Sequence, residues 1–144
     1  MSIKPKYFND YKVSNISAMI RNNRQFPKIC KDDFSSRLVV ISGATSGIGY
    51  NTARKFAAEG ASLVCINRNK EKSEALKAEI EKEFGVSCEY IIADLSDFND
   101  IRRCAEEVLK IDKPIDLLIH NAGIHLTRRE LTPCLLYTSP SPRD

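Results

Sequence analysis

The sequence predicts an α/β protein built on a doubly wound parallel sheet, and three observations carry that prediction. An apolar, β-branched run, Leu38-Val39-Val40-Ile41, passes straight into three glycines spaced G-x-x-x-G-x-G, and an amphipathic helix pattern follows. Apolar runs of strand length then alternate with helical periodicity from residue 37 to residue 119. The strand runs are continuously apolar rather than apolar at alternate positions, which is the pattern of a sheet covered on both faces.

The first strand is predicted over residues 37–42 and the first helix over 47–59, with Gly60 at the position where a left-handed residue ends a helix. The second strand covers residues 62–67 (S-L-V-C-I-N). The second helix covers 70–84, with Leu76, Ile80 and Phe84 on one face and Gly85 beyond its end. A third strand is expected over 88–93. Ser96 or Asp97 caps a third helix whose apolar face is Ile101, Cys104, Ala105, Val108 and Leu109. Pro114 follows that helix, and residues 115–119 form the fourth strand. The Ser/Thr/Arg content of residues 127–132 predicts a loop.

Three zones follow. Residues 1–36 are a polar N-terminal extension in which Val13, Ile16, Met19 and Ile20 are spaced for one side of a short helix ended by Phe26-Pro27. The extension reads as a segment packed on the domain or loosely ordered, in preference to a membrane or partner helix. Residues 37–133 hold the glycine run and the alternating strands and helices, and are expected to form a partial dinucleotide-binding domain for the reasons given below. Residues 134–144, Cys134-Leu135-Leu136-Tyr137-Thr138-Ser139-Pro140-Ser141-Pro142-Arg143-Asp144, match the translation of a transposon sequencing adapter residue for residue. They are expected to be a non-native tail, with the native sequence stopping at Thr132 or Pro133 after the fourth strand, and they are set aside from fold reasoning.

Composition narrows the function classes. The chain has 144 residues, 42% hydrophobic and 28% charged, as expected of one globular domain or most of one. The net charge of +3 is small, and residues 1–36 carry seven Lys/Arg against three Asp/Glu. A basic stripe is absent, which argues against a nucleic-acid partner. Cys30, Cys65, Cys88 and Cys104 are scattered with no C-x-x-C, which favours thiols in a reducing compartment over a disulfide frame or a metal site. No apolar stretch reaches membrane-spanning length and the N-terminus lacks a signal-peptide core. A cytoplasmic location without membrane attachment is therefore expected.

The glycine run sets the chemistry. Gly43 permits a sharp turn off the strand, Gly47 carries no Cβ to hold phosphates away, and Gly49 lets the helix lie close to the sheet. With Thr45, Ser46 and Ile48 these residues form a loop at a helix N-terminus, where free N–H groups and the helix dipole favour a pyrophosphate. The spacing differs from G-x-G-x-x-G, and no G-K-[ST] closes a nucleoside-triphosphate loop.

With those residues in hand, the stretch from Arg37 to Thr132 resembles the amino-terminal half of a classical short-chain dehydrogenase/reductase. Gly43, Gly47 and Gly49 match that family's cofactor loop, with Ser42 where Thr is more usual. Asp94-Leu95 matches the acidic position after the third strand, whose carboxylate the resemblance places against the adenine. His120-Asn121-Ala122-Gly123 resembles the N-N-A-G motif, which steadies the sheet and borders the cofactor. Residues 126–132 resemble the retinol-dehydrogenase-like and light-independent ketoreductase relatives. The resemblance implies a Rossmann-type fold, a nicotinamide cofactor, and a parent enzyme that moves hydride between that cofactor and an alcohol or carbonyl compound. It also implies homo-oligomeric assembly of the parent.

Charge argues for the form of the cofactor. An acidic residue at the end of the second strand binds the ribose hydroxyls of NAD and repels a 2′-phosphate. Here Asn67 stands at that place and Arg68 follows, with Lys70 and Lys72 close by. A guanidinium binds phosphate through two parallel N–H bonds. NADP(H) is the expected cofactor and NAD(H) the alternative.

No catalytic residue and no metal ligand is assigned. The family's Tyr-x-x-x-Lys is absent at a suitable place: Tyr90 leads to Asp94, and Tyr137 lies in the tail. His120 and His125 sit after the fourth strand with no nucleophile spaced to pair with them. The alternative to an oxidoreductase half is a non-catalytic nucleotide-binding or interaction module.

Overall fold

The computed structural model describes residues 13–24 and 32–123. The other residues lie outside the description, and with them His125, the segment 126–132 and the tail 134–144. Among the described residues of the N-terminal unit is a helix, α1 (Val13–Asn23), on the apolar spacing expected of it.

The second unit alternates β1 (Leu38–Ser42), α2 (Gly47–Ala58), β2 (Ser62–Asn67), α3 (Lys70–Phe84), β3 (Cys88–Ile92), α4 (Phe98–Leu109) and β4 (Leu117–Ile119). Every strand pair is parallel, in the order β3-β2-β1-β4. The chain therefore builds outward from β1 to β3 and then crosses back to place β4 on the other side of β1. The predicted doubly wound α/β class is what the structure shows.

Continuous apolar strands arise because each strand face has its own cover. Val39, Ile41, Leu63, Cys65 and Cys88 pack with Ala53 and Ala57 of α2 and Leu76 and Ile80 of α3. Leu38, Val40, Val64, Ile66 and Ile91 turn the other way and meet Cys104, Val108 and Ile111. All five β1 residues are buried, so this strand has no solvent face to make polar. Cys65, Cys88 and Cys104 are buried free thiols.

Local signals explain the helix ends. Asn69 accepts the Lys72 N–H at 2.9 Å and caps α3, and Gly85 ends it in the left-handed conformation at φ +67°. Between the two candidate caps of α4, Asp97 takes the role, accepting the Asn99 N–H at 2.9 Å. Ser96 instead donates its hydroxyl to Asp94.

Several expectations need correction. The fourth strand is shorter than residues 115–119, because Asp116 uses its side chain where a ladder carbonyl would serve. Its carboxylate accepts the Leu38 N–H at 2.8 Å while its own N–H donates to the Leu38 carbonyl at 3.0 Å. The α4 face is narrower than predicted: Ala105 is exposed and Leu109 is 82% exposed. Cys104 and Val108 form the sheet-facing row with Ile111 beyond the helix end, and Ala105 and Leu109 fall on the next row round the helix. The helix expected over 47–59, α2, stops at Ala58 with Glu59 as its cap, β1 begins at Leu38 rather than at residue 37, and β3 ends at Ile92 rather than at residue 93. Among the described residues no helix is long and apolar enough to cross a membrane.

Candidate functional site

The carboxyl ends of all four strands meet one open cleft of about 740 Å³. It lies where the strand order reverses between β1 and β4, which is where doubly wound sheets open to ligands. Four short segments supply its walls.

The first is the glycine turn. Gly43 leaves β1 at φ +70°, and a Cβ there would come within 2.8 Å of the Ala122 Cα. Gly49 is more constrained still, since a Cβ would overlap both the Gly43 carbonyl oxygen and the Asn121 Nδ2. The tip of α2 thus rests directly on the turn and on the β4 exit. Ser46 precedes α2 with extended backbone, and its side chain caps none of the helix's N–H groups. Ser46 leaves those donors unspent at the positive end of the helix dipole, where Ile48 and Gly49 line the cleft.

The second segment is the β4 exit, clamped to β1 by one hydroxyl. Ser42 Oγ accepts the N–H groups of Asn121 and Ala122, each at 3.1 Å, and reaches the Ile119 carbonyl at 3.5 Å. The Asn121 carboxamide donates back to the carbonyls of Ser42 at 3.2 Å and Gly43 at 3.0 Å. The departure from Thr at position 42 therefore keeps the group that matters. The departure at His120 costs none of these bonds, which all come from its neighbours, and His120 itself is exposed.

The third segment is the end of β2. Asn67 is 3% exposed, and its Oδ1 accepts the Ala44 N–H at 2.8 Å. Its Nδ2 is buried with no partner among the described residues. Leaving such a donor unpaired costs about 1–3 kcal/mol. Arg68, the next residue, is exposed at the cleft mouth beside Asn69 and Lys72. Lys70 turns away to Glu74, 3.8 Å off.

The fourth segment follows β3. Asp94 Oδ1 accepts both the Ser96 N–H at 2.9 Å and the Ser96 hydroxyl at 2.7 Å. Those two bonds, and further off the positive charge of Arg68, hold its carboxyl below the usual Asp range. Asp94 is thus a fixed anion on the same cleft as a cationic cluster.

Of the sequence-assigned residues, Gly43, Thr45, Ser46, Ile48, Gly49, Asn67, Arg68, Asp94, Leu95, Asn121, Ala122 and Gly123 all line this cleft. Gly47 does not. A Cβ on it would meet nothing within 4 Å, so within the protein its φ of +58° is what demands glycine. Ile66, Asn69, Ala93 and Ser96 also line the cleft, beyond the residues that the sequence singles out. Asn69 could have been found from its Asx capping position beside Arg68. Among the described residues no group of His, Cys, Asp or Glu is placed to hold a metal ion.

The cleft fits a nicotinamide dinucleotide on these grounds: unspent helix N–H donors for a pyrophosphate, a cationic rim at the end of β2, and a buried amide with one donor unspent.

Comparison with known proteins agrees with this geometry. The family model described as short chain dehydrogenase matches residues 37–135. A fatty acyl-CoA reductase of Acinetobacter baylyi is 31% identical over 106 residues, covering 74% of this chain and 36% of that protein. The human inactive hydroxysteroid dehydrogenase-like protein 1 is 36% identical over 88 residues, covering 61% of this chain and 26% of that protein. A short-chain dehydrogenase from Sphingobium yanoikuyae, solved in complex with NADPH, is 41% identical with a TM-score of 0.56, covering 61% of this chain and 34% of that one. L-sorbose reductase from Gluconobacter frateurii, complexed with NADPH and L-sorbose, is 29% identical with a TM-score of 0.60, covering 64% of this chain and 35% of that one. The chain spans about a third of the length of the curated relatives it matches (36% and 32% for two of them).

Proposed function

Because this chain belongs to the short chain dehydrogenase family, we propose that its cleft binds NADP(H) and that it is the cofactor-binding half of an oxidoreductase acting on an alcohol or carbonyl substrate. When bound, the nicotinamide supplies or accepts hydride. This chain's own residues hold and orient the dinucleotide. The N–H groups of the α2 tip take the pyrophosphate, and the Asp94-Leu95 segment borders the adenine. The Asn121–Gly123 exit would border the bound cofactor.

The state of the β2 end carries the preference for NADP(H). An NAD-selecting carboxylate would present acceptor oxygens to the ribose hydroxyls and repel phosphate. Asn67 is uncharged, and its acceptor oxygen is already taken by the Ala44 N–H. What it has left is a donor, which suits a phosphate oxygen. Arg68 and Lys72 add positive charge at the same mouth. The two NADPH complexes among the similar structures agree with this reading.

Fluorescence titration with NADPH and NADH tests it. The wild-type chain is expected to bind NADPH at least about tenfold more tightly, a preference of roughly 1.4 kcal/mol. Arg68→Ser should remove most of that difference while leaving NADH affinity nearly unchanged. Equal affinity of the wild-type chain for the two nucleotides would contradict the preference and favour the NAD(H) alternative.

A further inference from the structure

Asp94 does not hold its own position. Its backbone N–H donates to Asp100 Oδ2 at 2.9 Å, six residues on and in the first turn of α4. The other oxygen of Asp100 is gripped by Arg103, through Nε at 3.2 Å and Nη2 at 2.9 Å. Arg103 in turn is anchored at both ends. It donates to the Ile92 carbonyl at the end of β3 at 2.6 Å and to Glu107 at 2.6 Å. The chain Glu107–Arg103–Asp100 thus fastens the start of the Asp94–Ser96 turn through residues that do not line the cleft.

Inside that turn, both Ser96 bonds fall on Asp94 Oδ1, and Oδ2 takes none from the described residues. The free oxygen is the one available to a donor in the cleft. Resting on the reading of this cleft as a dinucleotide site, we infer that Asp100, braced by Arg103, is a positioning residue for base recognition. It fixes the backbone of Asp94 so that Oδ2 meets the exocyclic amino group of adenine. The Arg103 positive charge offsets the mutual repulsion of the two carboxylates. Asp100 itself lies outside the residues that line the cleft and touches no nucleotide atom on this reading.

The test compares NADPH with its hypoxanthine analogue, in which a carbonyl replaces the 6-amino group. A carboxylate oriented on that position accepts a bond from adenine and faces an acceptor in hypoxanthine. The wild-type chain is expected to prefer NADPH by about tenfold. Asp100→Ala should weaken NADPH binding about threefold to tenfold and bring the two nucleotides to near-equal affinity. Asp100→Asn, which keeps an acceptor for the Asp94 N–H, should restore most of the preference. Should Asp100→Ala fail to fold, Arg103→Ala replaces it, since that side chain is largely outside the core and its loss frees Asp100. A preference that survives in the folded Ala variant overturns the inference while leaving the dinucleotide site intact. A wild-type chain that binds NADPH but does not distinguish the analogue also overturns it. A wild-type chain that binds neither nucleotide overturns the site reading and this inference with it.

Discussion

Gly49→Ala is expected to destabilise the chain by at least about 3 kcal/mol and to abolish nucleotide binding. On an ordinary helix the same change stabilises by up to about 1 kcal/mol, because alanine is the better helix former. The sign therefore reports the local packing. Here the new Cβ would occupy the space of the Gly43 carbonyl oxygen and the Asn121 Nδ2. Neither is the loose end of a flexible chain: one is backbone, and the other is fixed by two hydrogen bonds. Relief requires α2 to lift off the turn, which breaks the alignment of its N-terminal donors with the cleft. Chemical denaturation and NADPH titration together measure the effect. A variant as stable as wild type would mean that the helix does not approach the turn this closely.

Ser42→Ala is expected to cost about 2–4 kcal/mol, because two N–H groups lose their shared acceptor at a residue only 4% exposed. The strands alone do not replace the clamp, since the β1–β4 ladder pairs only Val39–Leu117, Val40–Leu118 and Ile41–Ile119. Ser42→Thr keeps the hydroxyl and should stay within about 1 kcal/mol of wild type, with β-branching suited to the strand. Denaturant melts of the two variants separate loss of the hydroxyl from a general intolerance of change. An alanine variant that melts with wild type would show that the β4 exit is held by other contacts.

Much of this architecture is legible in the sequence because its signals are local. β2 and α3 have the expected bounds, since an apolar run and a capped, Gly-ended helix specify themselves. The shortened β4 was not legible: Asp116 acts on Leu38, 78 residues earlier, and no periodicity encodes that. The same holds for the Ser42 clamp, whose partners lie 79 and 80 residues away. The α4 face is hidden from the sequence for a different reason. Ala105 and Leu109 are apolar enough to look buried, and only the position of the sheet decides which of two adjacent rows faces it.

The cleft shows both limits. The glycines, Arg68 and Asp94 announce themselves by type and spacing, and the fold brings them together. The orientation of Asn67, with its oxygen spent on Ala44 and its amide unspent, depends on how closely the turn packs on β2. The Asp100–Arg103 brace is a tertiary arrangement of common surface residues, and its members resemble any exposed helical ion pair until the turn they hold is seen.

The most direct measurement is an amide chemical-shift map of the isotopically labelled 144-residue chain titrated with NADPH. A dinucleotide lying across the strand ends should perturb residues 43–49, 67–72, 94–96 and 121–123 together, with one shared affinity. Absence of perturbation in those segments, or shifts gathered instead around Lys77, Glu89 and Tyr90 on the α3–β3 surface, would contradict it.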